Sequence, residues 1–282
     1  MKRTDENWLL KVSNLTKIYG EPDEYTIANT GPEVNSNICP NTGSIVACAN
    51  INFELYPGEV LGIVGESGSG KSTVVKLLYF DMEKSYGEAL FSAHQAGEVN
   101  ILDESNQMKR KIRNHLMGMV YQNPRDGLNF RFSSGGNIAE KLIMGGNFNV
   151  GSIRNRAKDL LEKTEVPVLR LDDRPSSFSG GMQQRVQISK AIANNPPLLF
   201  LDEVTTGLDV SVQARVLDLI RELQQDLGIA MIVVSHDLSV IRMLTDRTLV
   251  MKNGRIVERG LTDQILQDPQ HAYSQLLVSS LL

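Results

Sequence analysis

Gly65-Glu66-Ser67-Gly68-Ser69-Gly70-Lys71-Ser72 is the stretch that decides how this chain is read. It fits G-x-x-x-x-G-K-[ST], the phosphate-binding P-loop, and its flanks suit that motif. Upstream, Val60-Leu61-Gly62-Ile63-Val64 is a short branched apolar run of the kind that forms a buried strand. Downstream, Thr73-Val74-Val75-Lys76-Leu77-Leu78 predicts the start of a helix. Glycines in such a loop let successive backbone N–H groups turn inward on a triphosphate, with no Cβ in the way. The helix start adds unpaired N–H groups and the positive end of its dipole. Gly65, Glu66, Ser67, Gly68, Ser69, Gly70, Lys71, Ser72 and Thr73 are therefore expected to bind the nucleotide. Lys71 reaches the outer phosphates, and the Ser72 hydroxyl is a ligand for Mg²⁺. By itself the motif specifies only a nucleoside triphosphate.

Composition sets the bounds. The 282 residues are 41% hydrophobic, enough for one large domain or two small ones. A formal net charge of −4 gives no reason to expect nucleic-acid binding or a membrane-surface patch. No stretch approaches the roughly 20 apolar residues that span a bilayer. The start, Met1-Lys2-Arg3-Thr4-Asp5-Glu6-Asn7, does not lead into the apolar core of a signal peptide, so the expectation is a cytoplasmic protein. Cys39 and Cys48 make no disulfide framework, and no histidine lies near them in sequence; Cys48, in an apolar run, reads as a core residue. One P-loop and no internal repeat mean one nucleotide site.

Along the chain, Leu9-Leu10-Lys11-Val12 predicts a first strand, and Leu15-Thr16-Lys17-Ile18 leads to Tyr19. Residues 20–44 are polar, rich in Asn, Pro and Gly, and aperiodic, which predicts a long loop or hairpin insertion. A strand resumes over 45–55, and Pro57-Gly58-Glu59 turns into the P-loop strand. Gly87-Glu88-Ala89-Leu90-Phe91 and Glu98-Val99-Asn100-Ile101-Leu102 predict two edge strands, followed by a basic helix over 108–116. Met117-Gly118-Met119-Val120-Tyr121 predicts a buried strand ending at Gln122. From about 122 to 185 the spacing is helical, as in a helical subdomain inserted into an α/β core made by 9–121 and 186–282. Leu198 to Leu201 and Ala230 to Val234 predict further strands, with a helix over 211–225 between them. Asn253-Gly254 marks a hairpin, and two short helices finish the chain. Strands alternating with helices predict a mostly parallel sheet covered on both faces.

A triphosphate with Mg²⁺ needs a second metal anchor and a means of aiming water. Asp202 ends an apolar strand, where α/β sheets place their ligands, and suits the Mg²⁺ carboxylate. Glu203 is one residue further and suits the general base. Two acids at a strand end can also be a solvated turn. Gln122 ends another strand; its amide either contacts Mg²⁺ and the attacking water or caps a turn. His236 ends a third, where it donates to the γ-phosphate or serves structure alone. Tyr19 is either a stacking partner for a base or a packed aromatic. Ser179-Gly180-Gly181 opens a helix, either as a second anion site that caps the nucleotide of a neighbouring copy or as an ordinary Ser N-cap.

Taken together, these residues resemble the ATP-binding-cassette ATPases. Gly65 to Ser72, Gln122, Ser179-Gly180-Gly181-Met182-Gln183, Leu199 to Glu203, Gly207-Leu208-Asp209 and His236 occur in the order of that family's Walker A, Q-loop, signature, Walker B, D-loop and switch histidine. The resemblance covers about residues 9 to 282. It implies a P-loop NTPase fold with an N-terminal antiparallel β-subdomain and an inserted helical subdomain. It implies ATP hydrolysis with Mg²⁺, and two such subunits packed head to tail so that each signature loop closes the partner's ATP. Tyr19 then corresponds to the adenine-stacking aromatic, and Asp209 belongs to the loop facing the partner's nucleotide. Val204 stands where the family usually has proline.

Within the family, the segment from Asp268 to Leu277 is similar to two groups, the ATPases of dipeptide and oligopeptide importers and the ATPase component of phosphonate carbon–phosphorus lyase systems. Asp126-Gly127-Leu128 with Ser134-Gly135-Gly136-Asn137-Ile138, the run from Gly207 to Arg215, and the end at Val278 to Leu282 resemble the second group. That resemblance implies docking on a lyase core complex, with an identical subunit or a second, different ATPase as mate. The importer resemblance implies a membrane permease instead.

Overall fold

The structure is a computed structural model and describes residues 7–279. The first six residues and Ser280, Leu281 and Leu282, on which the reading of the N-terminus and part of the C-terminal resemblance rest, lie outside the described residues. In chain order the elements are β1 (Leu10–Tyr19), α1 (Glu24–Ala28), β2 (Ile45–Leu55), β3 (Val60–Val64), α2 (Lys71–Leu78), β4 (Tyr86–Phe91), α3 (Asn106–His115), β5 (Met117–Val120), α4 (Pro124–Gly127) and α5 (Ser134–Met144). They continue with α6 (Val150–Lys163), α7 (Gly180–Ala191), β6 (Leu198–Asp202), α8 (Val210–Leu227), β7 (Ala230–Ser235), α9 (Leu238–Leu244), β8 (Arg247–Lys252), β9 (Arg255–Leu261), α10 (Thr262–Gln267) and α11 (Ala272–Ser279). The chain forms two compact units, one of residues through Lys109 together with Ile232 onward, the other of Arg110–Met231.

In the first unit, β1 lies between β2 and β4 in an antiparallel sheet, with Leu10 opposite both Leu55 and Phe91. β3 pairs in parallel with β8, which turns back antiparallel into β9 across Asn253-Gly254. Both turn residues have positive φ, 44° and 75°, as a two-residue hairpin requires. Every residue of β3 is buried, as its unbroken apolar run predicts. α2 buries Val74, Val75, Leu77 and Leu78, each worth about 1.5–3 kcal/mol when removed from water. That burial fixes the helix whose start holds Lys71 and Ser72.

The polar stretch 20–44 carries α1, capped by Asp23, and isolated bridges pairing Gly31 with Ser36 and Ile38 with Ile45. Ile27 packs on Ile18, Val46 and Ala49, and the Arg255 guanidinium donates to the Ile27 carbonyl at 3.0 Å. Cys39 is buried within this stretch. Cys48 is buried in β2, and burial pushes its thiol up to about 12.

The second predicted edge strand, Glu98 to Leu102, does not form: single 3₁₀ turns occupy Gln95–Gly97 and Ile101–Asp103, and only Asn100 bridges to Leu90. Gln95, Ala96 and Gly97, just before the segment, all have positive φ, and within it the Asn100 side chain accepts from Ala89 N and Leu102 N. Branched residues there are held by a local turn whose side-chain bonds replace a ladder.

In the second unit, β5 pairs in parallel with β6, Met117 opposite Leu198. α5, α6 and α7 pack together, joined by a buried hydroxyl pair between Thr164 and Ser189 at 2.7 Å and an ion pair between Lys190 and Glu140 at 2.7 Å. The Lys141 amine is buried and donates to the carbonyls of Arg113 at 2.7 Å and Met117 at 3.2 Å, tying α5 to the segment that enters β5.

Candidate active site

In the first unit the loop from Gly65 to Gly70 joins the end of β3 to the start of α2. Gly70 has φ +99°, and a Cβ there would stand 2.1 Å from the Ala47 carbonyl oxygen. Gly68, at φ +81°, has nothing within 4 Å of the place where a Cβ would stand. Glycine thus serves the backbone turn at both positions, packed against β2 at one and facing open space at the other. Ser69 N closes the loop on Glu66 O at 3.1 Å, and Gly254 N donates to Ser69 O at 3.0 Å, so the β8–β9 turn braces it. Lys71 is 4% exposed; its amine donates to the carbonyls of Gly65 and Glu66, each at 2.8 Å. This places the charge of Lys71 over its own loop. Ser72 and Thr73 follow in the first turn of α2, half-buried.

Two further sequence candidates belong to this unit. His236 follows β7 directly and is exposed. Tyr19 ends β1 with 43% of its surface exposed and the Lys17 amine 5.2 Å from its ring centroid.

In the second unit, Asp202 is the last residue of β6 and is buried. Glu203 follows with φ +49°, a left-handed backbone that costs a non-glycine residue about 1–3 kcal/mol. The Gln122 amide donates to Glu203 Oε2 at 2.9 Å, and the Thr206 hydroxyl to the same oxygen at 3.3 Å. Gln122, exposed beyond the end of β5, and Glu203 are thus brought together although distant in sequence. Ser179 caps α7 through Met182 N at 3.4 Å, with Ser179 and Gly180 exposed. Gly181 is buried, and a Cβ on it would come within 2.4 Å of Val212 in α8. Asp209 stands exposed at the N-cap of that same helix, so the signature and D-loop segments adjoin.

Sequence reasoning missed Gln187. It is 1% exposed, accepts from Tyr121 N at 2.9 Å and donates to Tyr121 O at 3.0 Å, gripping the peptide just before Gln122. Gln184 adds a bond to the same carbonyl at 3.4 Å. The signal was a pair of glutamines one helical turn apart on the buried face of α7, where amides require fixed partners.

A buried strand, a left-handed glycine loop and a buried lysine in the first unit are the mark of a P-loop nucleoside triphosphatase, and the second unit carries a strand-end acid pair bonded by a glutamine. The comparisons narrow this. A family model described as "ABC transporter" matches residues 48–206. The chain is 45% identical over 274 residues to PhnK of Escherichia coli (strain K12), named for phosphonates utilization and ATP binding, spanning 97% of this chain and 98% of that one. It is 37% identical to the oligopeptide transport ATP-binding protein OppF of Lactococcus lactis, over 85% of this chain and 73% of that one. Among solved structures, the ATP-binding cassette MJ0796, in a dimeric post-hydrolysis state bound to ADP and Pi, matches with a TM-score of 0.74 at 28% identity, over 90% of this chain and 98% of that one. The chain belongs to the ABC transporter family, as an ATP-binding subunit with the ABC ATPase fold. Among the described residues, no helix is long and apolar enough to cross a membrane.

Proposed function

We propose that this chain is the ATP-hydrolysing subunit of a cytoplasmic phosphonate carbon–phosphorus lyase system, working as a dimer that docks on the lyase core. The observation that carries this reading is the identity of 45% with PhnK across nearly the full length of both chains. A second reading, the motor subunit of a peptide-type importer, is favoured by the 37% identity with OppF over a smaller share of each. Affinity purification from the native host separates the two. Co-purification of a soluble multi-subunit lyase supports the first reading; an integral membrane permease in the detergent-solubilised fraction replaces it with the second.

The residues divide the chemistry. The loop from Gly65 to Thr73 holds the triphosphate, and Lys71, seated on two loop carbonyls, donates to phosphate oxygens. Mg²⁺, when bound, neutralises charge on the transferring phosphoryl group. Ser72, Asp202 and Gln122 supply hydroxyl, carboxylate and amide oxygens, the hard donors that fit Mg²⁺. Glu203 is the general base, oriented by Gln122, and His236 donates to the γ-phosphate. Tyr19 stacks on the adenine. Ser179, Gly180, Gly181 and Asp209 act on the nucleotide of the partner copy. Glu203→Gln, Lys71→Ala and Ser179→Arg test these assignments.

A further inference from the structure

The C-terminal segment, singled out in the sequence only for its resemblance, meets the P-loop. Tyr273 in α11 is 5% exposed, and its hydroxyl accepts from Glu66 N at 3.0 Å. The Lys252 amine lies 5.1 Å from the ring centroid. The helix is held at its start by β9: Glu258 accepts from Gln270 N at 2.8 Å and from His271 N at 3.1 Å, and His271 Nδ1 accepts from Tyr273 N at 3.1 Å. The tyrosine is therefore positioned by fixed partners on both sides.

We infer that Tyr273 is a positioning residue for nucleotide binding, acting on Lys71 through the peptide that joins Gly65 to Glu66. That peptide is planar and is held at both ends: its N–H, from Glu66, goes to Tyr273 at 3.0 Å, and its carbonyl, from Gly65, receives the Lys71 amine at 2.8 Å. Tyr273 thus fixes the orientation of the carbonyl on which Lys71 rests, and engages the Glu66 N–H so that phosphate is met by other donors of the loop. Burial pushes the phenol up from its ordinary value, which keeps it neutral and able to accept from an amide. The cost of ordering the loop is met before the nucleotide arrives, which is how preorganisation raises affinity.

The inference rests on the nucleotide reading above, and Tyr273→Phe tests it, since phenylalanine keeps the ring and removes only the oxygen. Hydrogen exchange of the peptide covering residues 65–71, in protein without nucleotide, should quicken at Glu66 while the melting temperature holds. Affinity for a fluorescent ATP analogue should fall about three- to tenfold, the span of one hydrogen bond, with KM for ATP raised and kcat at saturation parental. Parental affinity in the variant overturns the inference, and so does a lowered melting temperature with parental exchange in the loop. If the parental chain itself binds no ATP analogue, the nucleotide reading fails, a result distinct from a variant that binds as well as its parent.

Discussion

The Gln122 amide donates to Glu203 Oε2 at 2.9 Å, joining two residues 81 positions apart in the chain. Glu203 reaches this bond from a left-handed backbone, φ +49°, directly after buried Asp202. One carboxylate oxygen is thereby shared by Gln122 and Thr206. On the proposed assignment of Glu203 as general base, these bonds aim the carboxylate before it acts.

Replacing Glu203 by Gln keeps both its shape and its capacity to accept from Gln122 while removing the carboxylate proposed as the base. ATP binding should persist, and hydrolysis should slow by about 10²–10⁴-fold, the usual worth of a general base. Single-turnover hydrolysis with a parallel binding titration measures both. Parental turnover would remove the base assignment.

Lys71→Ala should act earlier, on binding. On the proposed reading Lys71 pairs with charge already present on the bound nucleotide, so its loss should raise the energy of the ground-state complex. A charge-assisted hydrogen bond is worth about 1.5–3 kcal/mol, so affinity should fall about 10- to 150-fold. Equilibrium titration with an ATP analogue checks this, and unchanged affinity contradicts it.

Lys141 predicts a pH dependence of stability. Burial, reinforced by the neighbouring cations Arg113 and Lys190, lowers its amine from 10.5 to about 7. Between those values the unfolded chain binds a proton that the folded chain does not. Stability from this group is therefore fully present above 10.5, declines as pH falls, and is lost as pH falls through about 7. Urea unfolding between about pH 7 and pH 9.5 should show stability rising by up to about 1.4 kcal/mol per pH unit from this single site. Lys141→Met should flatten that slope; an equal slope in both proteins would exclude Lys141 as its source.

Ser179→Arg places a bulky charge at the exposed start of α7. The lost N-cap costs about 1 kcal/mol of stability, while ATP binding should survive because the P-loop is untouched. If Ser179 serves the partner's nucleotide, turnover should vanish and no ATP-dependent dimer should appear in sedimentation. Full activity from a strictly monomeric preparation would count against the signature assignment.

The sequence by itself determined the P-loop, because its parts lie within about a dozen residues and its chemistry is local: glycines free the backbone, and a lysine and a serine follow at fixed offsets. The same holds for buried β3, the Asn253-Gly254 hairpin and the helices of the second unit, whose periodicities are short-range. The strand expected at Glu98 to Leu102 did not form because the Asn100 side chain offered backbone N–H groups another partner, a competition that hydrophobic spacing does not reveal. Only the tertiary structure decided that Glu203 meets Gln122, that Gln187 grips Tyr121 from 66 residues away, and that Tyr273 reaches Glu66 across 207. Those bonds depend on where separate strands and helices end in space, and no local pattern in the chain encodes that distance.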